Sequence, residues 1–259
     1  MASVGELLPV AEAVVDEAEA IFHAGFGAPD LALHDKGNGD FATTADLAIE
    51  QRVRQLLVQM TGVEVYGEES THASASSTGR SELPRTGAVW VVDPIDGTSN
   101  FAAQNPNCGI LVALVHDLQP VAAVVSFPKL RLRMAATDGG GVRGLPATAP
   151  HPQRHVGVFS QTRPELYTAI RHRGLRPRVS GSVGLDLAYA ARGVLSGAIN
   201  YSPHPWDNAA GALLVREAGG TVTTPEGDDW DCTSRGIIVG DAATHAQLLG
   251  AAQSLNRKI

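Results

Sequence analysis

The first sixty residues place apolar and polar side chains with the period of an α-helix. The apolar positions of the first segment are Val4, Leu7, Leu8, Ala11, Val14, Val15, Ala18, Ile21 and Phe22. This spacing predicts an amphipathic helix that ends near Gly25. A second run, with Ile49, Val53, Leu56, Leu57 and Met60 on one face, predicts a helix from about residue 44 to Gly62. The polar, glycine-containing stretch 34–40 between them is expected to be a loop.

After residue 62 the pattern changes to short β-branched runs, which are typical of strands. Runs 63–66 and 89–92 are each followed at once by acidic residues, and runs 109–115 and 121–127 predict a pair of strands joined by a turn. The second part of the chain alternates predicted strands and helices. The strands are 156–159, 197–201, 221–223 and 236–239, and the helices are 164–173, 185–194, 208–218 and a last one from 242. We therefore expect a mixed α/β fold with helices flanking sheets.

Two segments of unusual composition interrupt the predicted helices and strands. Residues 72–87, rich in serine, threonine and glycine, are expected to form a mobile surface loop. Residues 139–152, rich in glycine and proline, are the best candidate for a boundary between two halves of the chain. We predict a single domain over 1–259, with an N-terminal α+β half at 1–145 and a C-terminal α/β half at 146–259.

Composition excludes several classes of protein. The chain has 259 residues, of which 44% are hydrophobic and 18% charged, so it can bury a sizeable core. Its apolar runs are too short to span a bilayer and its first twenty residues are acidic, which predicts neither a membrane protein nor a signal peptide and favours a cytoplasmic location. Two cysteines without a C-x-x-C pair disfavour disulfide, zinc and iron–sulfur scaffolds. The net charge of −7 argues against a nucleic-acid surface, and an acidic protein that binds phosphate needs a cation.

Acidic residues follow strands or open helices at four places. They are Glu68 and Glu69 in G-E-E-S, Asp93 and Asp96 in D-P-I-D-G-T, Asp207 in W-D-N, and Asp46 in T-T-A-D. Taken singly, these residues have simpler interpretations as turn pairs, a solvated acidic pair and helix N-caps. Four such sites are not needed for folding, and unpaired buried acids are costly, so the set indicates a bound cation.

The D-P-I-D-G-T segment is the most informative of the four. Asp93 ends a buried strand and Asp96 is expected one turn later, so both carboxylates can face one point, with the Ile95 carbonyl between them. Gly97 lets the backbone approach a ligand closely, and Thr98 supplies a hydroxyl at the start of a helix. Oxygen donors without a nearby histidine or cysteine suit Mg²⁺ better than zinc.

A phospho-aspartate mechanism lacks its nucleophile here. That chemistry uses D-x-D-G-T, with an aspartate two residues before the second acid. The residue two before Asp96 is Pro94.

Taken together, the motifs resemble the inositol monophosphatase family. The resemblance rests on D-P-I-D-G-T-S-N-F at 93–101, G-E-E-S at 67–70, W-D-N-A-A-G…E-A-G-G from 206 to 220, and the pattern Lys36…Asp40-x-x-Thr43-x-x-Asp46. These segments occur in order from Lys36 to Gly220. The stretch K-G-N…D-F-A-T…D-L-A-I-E is similar to the actinobacterial inositol 1-monophosphatase branch.

The resemblance implies a layered αβαβα sandwich that is commonly a homodimer. It also implies Li⁺-sensitive hydrolysis of a small-molecule phosphate monoester with two or three Mg²⁺ ions. Carried over by position, the first metal would be held by Glu68, Asp93 and the Ile95 carbonyl, and the second by Asp93, Asp96 and Asp207. Glu69 would belong to the outer shell or to a third metal.

Further roles follow from the same resemblance. Glu68 and Thr98 would orient the attacking water, with Asp46 hydrogen-bonded to Thr98. The phosphate would lie against Gly97, Thr98 and Ser99, the first two contributing backbone amides. The substrate ring is expected to contact Gly181, Ser182, Val183, Asn200 and Asp207. A tight turn before the next helix is an equally good interpretation of the glycine–serine–valine segment.

The chain departs from the family pattern on the substrate side. Asn200 stands where many members carry a glutamate for ring hydroxyls. The Lys36 loop is one residue shorter than expected, and its glycines suggest that it closes over the third-metal position.

These departures leave the substrate open. The leading candidate is myo-inositol 1-phosphate or a similar polyol phosphate, and the alternatives are histidinol phosphate, phosphoadenosine phosphate and NADP. A non-catalytic metal-binding regulator is the competing hypothesis from another class. The intact acidic residues argue against it.

Overall fold

A computed structural model of the chain describes residues 4–37, 39–74, 82–147 and 154–256. Helix α1 spans Val4–Gly25, strands β1 (Leu33–Gly37) and β2 (Asp40–Thr43) form a hairpin, and helix α2 spans Thr44–Thr61. Thr43 opens α2 with a reciprocal capping box to Asp46, and Gly62 closes it in the left-handed conformation (φ 68°). Both predicted helices are confirmed.

The prediction of a loop at 34–40 is wrong, because most of this stretch lies in the β1–β2 hairpin. The strands pair antiparallel from Leu33 opposite Thr43 to Gly37 opposite Asp40. Strand β1 is largely exposed, so it shows none of the apolar alternation by which strands are recognised.

The remainder of the N-terminal part forms a six-stranded sheet. Its elements are β3 (Val65–Gly67), α3 (Glu68–Ser74), β4 (Ala88–Asp96), α4 (Thr98–Ala102), β5 (Gly109–His116), β6 (Gln119–Phe127), a 3₁₀ turn (Pro128–Leu130), β7 (Leu132–Thr137) and β8 (Gly141–Arg143). The order is β3-β4-β5-β6-β7-β8, with β3 parallel to β4 and the other pairs antiparallel. The predicted β5–β6 pair is confirmed, whereas β7 and β8 were not predicted. Part of the expected surface loop at 72–87 lies outside the described residues, and its first residues belong to α3.

The C-terminal part forms a second sheet. It contains β9 (His155–Val158), α5 (Pro164–His172), β10 (Arg176–Arg178), α6 (Val183–Ala191), β11 (Gly197–Asn200), α7 (Pro205–Glu217), β12 (Thr221–Thr223), β13 (Ile237–Gly240) and α8 (Ala242–Asn256). The strand order is β10-β9-β11-β13-β12. The predicted helices and strands of this part are present, and β10 is an addition.

The helices and sheets form five layers, which are packed together by three hydrophobic clusters. One joins α1 and α2 to the six-stranded sheet and includes Val14, Ile49 and Trp90. A second places α6 and α7 between the two sheets, and a third packs α5 and α8 on the outer face of the five-stranded sheet. This is the predicted αβαβα sandwich.

One edge of this sandwich gathers the acidic segments. Strands β3 and β4 run parallel, with Gly67 opposite Val92, so Glu68 at the start of α3 and Asp93 within β4 follow paired residues and lie side by side. Among the described residues, no helix is long and apolar enough to cross a bilayer.

Candidate active site

The end of β4 supplies two buried acids and a backbone carbonyl. Asp93 is 2% exposed and Asp96 is 5% exposed. The register of β4 against β5 shifts between these two residues, so Asp96 lies at the strand end after a bulge and not one turn into a loop. Gly97 then turns the chain with φ 86°, and a Cβ there would lie 3.0 Å from the Asn107 carbonyl oxygen. The turn therefore requires glycine for both its conformation and its space.

Asp96 is tied to the start of helix α6. It accepts hydrogen bonds from the Val183 amide at 3.0 Å, from the Gly184 amide at 2.9 Å and from the Ser182 hydroxyl. Ser182 is also the N-cap of α6, through the Leu185 amide at 3.1 Å. Burial raises the pKa of Asp96 to about 6, although these hydrogen bonds oppose the rise. The predicted substrate residues Ser182 and Val183 thus lie directly against a predicted metal ligand.

Asp93 has one carboxylate oxygen without a partner. Its Oδ1 is buried and accepts no hydrogen bond in the described structure. Burial, followed by the charges of Glu68, Asp96 and Asp207, raises the pKa of Asp93 well above 3.8. An unpaired buried carboxylate is costly unless a cation neutralises it.

Asp207 approaches from the second half of the chain. It lies in the first turn of α7 and accepts a hydrogen bond from the Ser202 hydroxyl. Burial raises the pKa of Asp207 well above 3.8, the Ser202 hydrogen bond lowers it, and the charges of Asp96 and Glu68 raise it further. The carboxylates of Glu68, Asp93, Asp96 and Asp207 therefore interact electrostatically.

Asp46 and Thr98 are joined as expected. The Thr98 hydroxyl lies 3.1 Å from Asp46 Oδ1 and 3.1 Å from the Ile95 carbonyl oxygen, and its single proton can serve one of them at a time. Asp46 Oδ2 meanwhile accepts from the Thr43 amide at 2.8 Å and from the Thr43 hydroxyl at 2.5 Å. Burial raises the pKa of Asp46 to about 6.

Lys36 reaches into the acidic cluster from the β1–β2 hairpin. Its Nζ lies 2.7 Å from Glu68 Oε1 and 2.7 Å from Glu69 Oε1. Burial would lower the pKa of Lys36, but the two glutamates raise it above its usual value. Burial raises the pKa of Glu69 to about 8, against the opposing effect of Lys36.

These elements enclose a cleft of about 660 Å³. Its described lining carries six acidic residues and one lysine, namely Asp40, Glu68, Asp93, Asp96, Asp186, Asp207 and Lys36. Gly97, Thr98, Ser99, Gly181, Ser182, Val183 and Ile95 also line it. The excess of negative charge, the set of oxygen donors and the orphaned Asp93 oxygen fit a divalent cation. Within the described ranges, no three acidic, histidine or cysteine side chains are grouped closely enough to hold a metal ion. Serine hydroxyls and Lys36 contact several of the carboxylate oxygens.

Comparison with known proteins agrees with this geometry. Residues 4–257 match the model of the inositol monophosphatase family. The chain belongs to the inositol monophosphatase family. It is 40% identical over 263 residues to a probable inositol 1-monophosphatase ImpA of Mycobacterium tuberculosis, covering 95% of this chain and 93% of that protein. It is 35% identical over 244 residues to the histidinol-phosphatase of the same organism, covering 85% and 88% of the two chains.

The fold is likewise shared with solved inositol monophosphatases. The crystal structure of an IMPase/NADP phosphatase complexed with Mg²⁺ and phosphate superposes with a TM-score of 0.79. The two chains are 21% identical, with 96% of this chain and 95% of that one covered. The predicted family, fold and phosphatase class are confirmed, and the chain is a phosphatase that hydrolyses phosphate monoesters.

One predicted residue of this inositol monophosphatase family member is placed differently from the expectation. Asn200 does not line the cleft and is 4% exposed. Its Nδ2 donates to Asn208 Oδ1 at 2.9 Å, and its Oδ1 accepts from the Ser202 amide at 2.9 Å. Its amide therefore organises the loop before α7, whereas the sequence predicted a contact with the substrate ring.

Sequence reasoning assigned no role to two acids of the cleft, Asp40 and Asp186. Asp186 lies in α6 against Gly157, where a Cβ would come within 2.7 Å of the Asp186 carboxyl carbon. Burial raises the pKa of Asp186 to about 8, with the charge of Asp96 adding to the rise. Its helical position, inside the apolar run 185–194, gave no sign of a cleft residue.

Proposed function

We propose that this inositol monophosphatase family member is a Mg²⁺-dependent phosphomonoesterase whose leading substrate is myo-inositol 1-phosphate or a similar polyol phosphate. The observation that carries the proposal is the buried Asp93 carboxylate with an unpartnered oxygen, surrounded by Glu68, Asp96 and Asp207. A cluster of this kind destabilises the fold unless it serves to bind a cation. The related structure with Mg²⁺ and phosphate supports the choice of ion.

Two Mg²⁺ ions would be held by five residues. Glu68, Asp93 and the Ile95 carbonyl would hold one, and Asp93, Asp96 and Asp207 the other, while Glu69 would serve a third ion or the outer shell. When bound, Mg²⁺ lowers the pKa of a water molecule and neutralises charge on the phosphate and the leaving oxygen. The Ser182 and Ser202 hydroxyls and Lys36 would release carboxylate oxygens to these ions.

The protein's own groups orient the water. Because the Thr98 hydroxyl can donate its proton to Asp46 Oδ1, its oxygen lone pairs are available to accept a hydrogen bond from water. Glu68 would hold the second proton of that water. Asp46 is fixed by Thr43 and keeps Thr98 in this orientation.

The remaining lining residues receive the ester. Gly97 and Thr98 would donate backbone amides to the phosphate, with Ser99 next to them. Gly181, Ser182 and Val183 border the space beyond the phosphate, where the leaving group would lie. Most of the rate enhancement would be electrostatic, since phosphate monoesters hydrolyse extremely slowly in water.

An amino-alcohol phosphate such as histidinol phosphate is the second candidate substrate. Two observations favour it: the Asn200 amide is engaged by Asn208 and Ser202, and the described lining holds Asp40 and Asp186 in addition to the four acids that would bind Mg²⁺. An ammonium group on the substrate would find complementary charge there. The 35% identical relative named histidinol-phosphatase supports the same alternative.

A phosphate-release assay over a panel of monoesters tests the proposal. We expect turnover in Mg²⁺, none after chelation, and loss of turnover in Asp93→Asn with the fold retained. Arg52→Ala, which removes an exposed ion pair between α2 and Glu17 of α1, is the matched control and should retain activity. If no monoester is hydrolysed while Mg²⁺ still binds, the non-catalytic regulator is the better hypothesis.

We further propose that the chain is a cytoplasmic homodimer that folds as one unit. The 146–259 half contributes α6 and α7 to the core shared with the six-stranded sheet, so neither half is expected to fold alone. Sedimentation of the full chain measures the oligomeric state, and a folded 1–145 fragment would contradict the single unit.

A further inference from the structure

Glu50 is a buried acid that the mechanism above does not use. It lies in α2 and is 4% exposed. Its Oε2 accepts a hydrogen bond from the Glu69 amide at 2.6 Å, and its Oε1 accepts one from the Ser70 amide at 2.8 Å. Both oxygens of one carboxylate therefore hold the backbone of the G-E-E-S segment.

This contact replaces the local cap that helix α3 lacks. The first N–H groups of a helix have no partner within it, and the preceding side chain commonly accepts from one of them. The residue before α3 is Gly67, which has no side chain, and a Cβ there would lie 2.4 Å from the Glu50 carboxyl carbon. The glycine and the glutamate are therefore complementary, since the absence of one side chain admits the other.

Arg54 completes the arrangement one turn further along α2. Its NH2 lies 3.5 Å from Glu50 Oε1, and its NH1 donates to the Val65 carbonyl at 2.8 Å. Arg54 also donates to the Ser70 hydroxyl. We call Glu50, Arg54 and Gly67 the Glu50 clamp; it joins α2 to the end of β3 and to the start of α3.

The position of Glu50 along α2 also links it to the D-P-I-D-G-T segment, which carries Asp93 and Asp96. Asp46 precedes Glu50 by four residues, so both side chains project from the same face of the helix. Asp46 holds Thr98, next to the Asp93–Asp96 turn, whereas Glu50 holds the Glu68–Glu69 segment. One turn of a capped, buried helix therefore sets the separation between the two segments that would ligate the metal.

We propose that Glu50 is a positioning residue that sets the affinity of the cleft for Mg²⁺. It contacts the backbone of the segment that carries Glu68 and Glu69, and it is not among the residues that line the cleft. The inference rests on the proposed function for the identity of the ion. Outer residues that orient metal ligands typically contribute about 10–100-fold to metal affinity.

The test uses Glu50→Gln and Gly67→Ala in the full chain. Glu50→Gln places an amide N–H against a backbone N–H, and Gly67→Ala displaces the same carboxylate from the other side. For both variants we expect the Mg²⁺ concentration at half-maximal turnover to rise about 10–100-fold. The rate at saturating Mg²⁺ should recover to within a few-fold of the wild-type value. In Mg²⁺-free protein, amide hydrogen exchange over residues 67–71 should become faster.

A double variant distinguishes a shared contact from two separate defects. Glu50→Gln combined with Gly67→Ala should lose no more Mg²⁺ affinity than the more affected single variant, because both disrupt one interaction. Additive losses would contradict the clamp.

Thr61→Val is the stability-matched control on the same helix. The Thr61 hydroxyl donates to the Leu57 carbonyl at 2.6 Å and accepts from the Trp90 indole at 3.1 Å, at the end of α2 remote from the cleft. It should lower the melting temperature and leave Mg²⁺ dependence unchanged.

The inference is overturned if folded Glu50→Gln or Gly67→Ala keeps the wild-type affinity for Mg²⁺ and the wild-type rate of amide exchange. It is also overturned if Thr61→Val lowers the affinity for Mg²⁺ to the same extent. A wild type that binds Mg²⁺ by calorimetry and hydrolyses no ester would refute the proposed function alone, since calorimetry and exchange still decide the clamp.

Discussion

Replacing Asp93 by asparagine should stabilise the protein in the absence of Mg²⁺ and abolish its activity. Asparagine has nearly the shape of aspartate but carries no charge. Asp93 is buried, and its ionised form is disfavoured first by this burial and then by the charges of Glu68, Asp96 and Asp207. Removing that charge relieves repulsion for every acid around it.

The size of the effect follows from the shifted pKa values in the cluster. Burial is the largest cause of the raised pKa of both Asp93 and Asp96, and for Asp96 it gives a pKa of about 6 against an ordinary 3.8. A shift of this size corresponds to about 3 kcal/mol at a pH above both values. The asparagine amide still lacks a partner, which offsets part of the gain. We therefore expect Asp93→Asn to raise the free energy of unfolding by about 1–3 kcal/mol at pH 8, or roughly 2–12 °C in melting temperature.

Thermal denaturation with and without Mg²⁺ measures this directly. In the wild type, Mg²⁺ at a hundred times its dissociation constant should add about 2.7 kcal/mol, because only the folded protein binds it. In Asp93→Asn that increment should largely vanish. The reasoning is refuted if the variant melts below the wild type without Mg²⁺, or if it keeps the Mg²⁺ increment and full turnover.

Three further predictions concern neighbouring residues. Burial raises the pKa of Asp186 to about 8, so the folded protein holds a proton that the unfolded chain releases near pH 4. The free energy of unfolding of the wild type should therefore fall as pH rises from 4 to 8. In Asp186→Asn this part of the pH dependence, measured by urea unfolding, should disappear, and an unchanged pH dependence would contradict the prediction. Thr98→Val and Asp46→Asn should each lower kcat at least about 100-fold. The double variant should lose little more, because the two hydrogen-bonded residues act together. Additive losses in steady-state kinetics would show that they act separately. Gly97→Ala should destabilise the fold by more than about 1 kcal/mol in chemical denaturation, since it needs a positive φ and crowds the Asn107 carbonyl, and a neutral substitution would show that the turn tolerates a side chain.

The sequence alone predicted the elements whose packing imposes a period. The buried faces of α1 and α2, the strands β5 and β6 and the alternation of the second half all follow from apolar spacing. The β1–β2 hairpin could not be predicted in this way, because polar, largely exposed strands carry no such spacing.

The site shows the same division between local and long-range information. The acids of D-P-I-D-G-T and G-E-E-S can be recognised in the sequence because they follow predicted strands. The parallel pairing of β3 with β4 brings them side by side. By contrast, Asn200 is oriented by Asn208 and Ser202 within the loop before α7, and Glu50 acts on a helix nineteen residues away in the chain. Such partners are chosen by tertiary packing, so their side chains look like ordinary polar positions in the sequence.

Diffraction from crystals soaked in Mn²⁺, which replaces Mg²⁺ and scatters anomalously, tests the metal site most directly. We expect an anomalous peak coordinated by Asp93, Asp96 and Asp207 and a second one at Glu68, Asp93 and the Ile95 carbonyl, each roughly 2.0–2.3 Å from the oxygens. Ser182 and Ser202 should turn away from the carboxylates as the ions bind. No peak among these oxygens at an Mn²⁺ concentration that supports turnover would contradict the acidic cluster as the catalytic metal site.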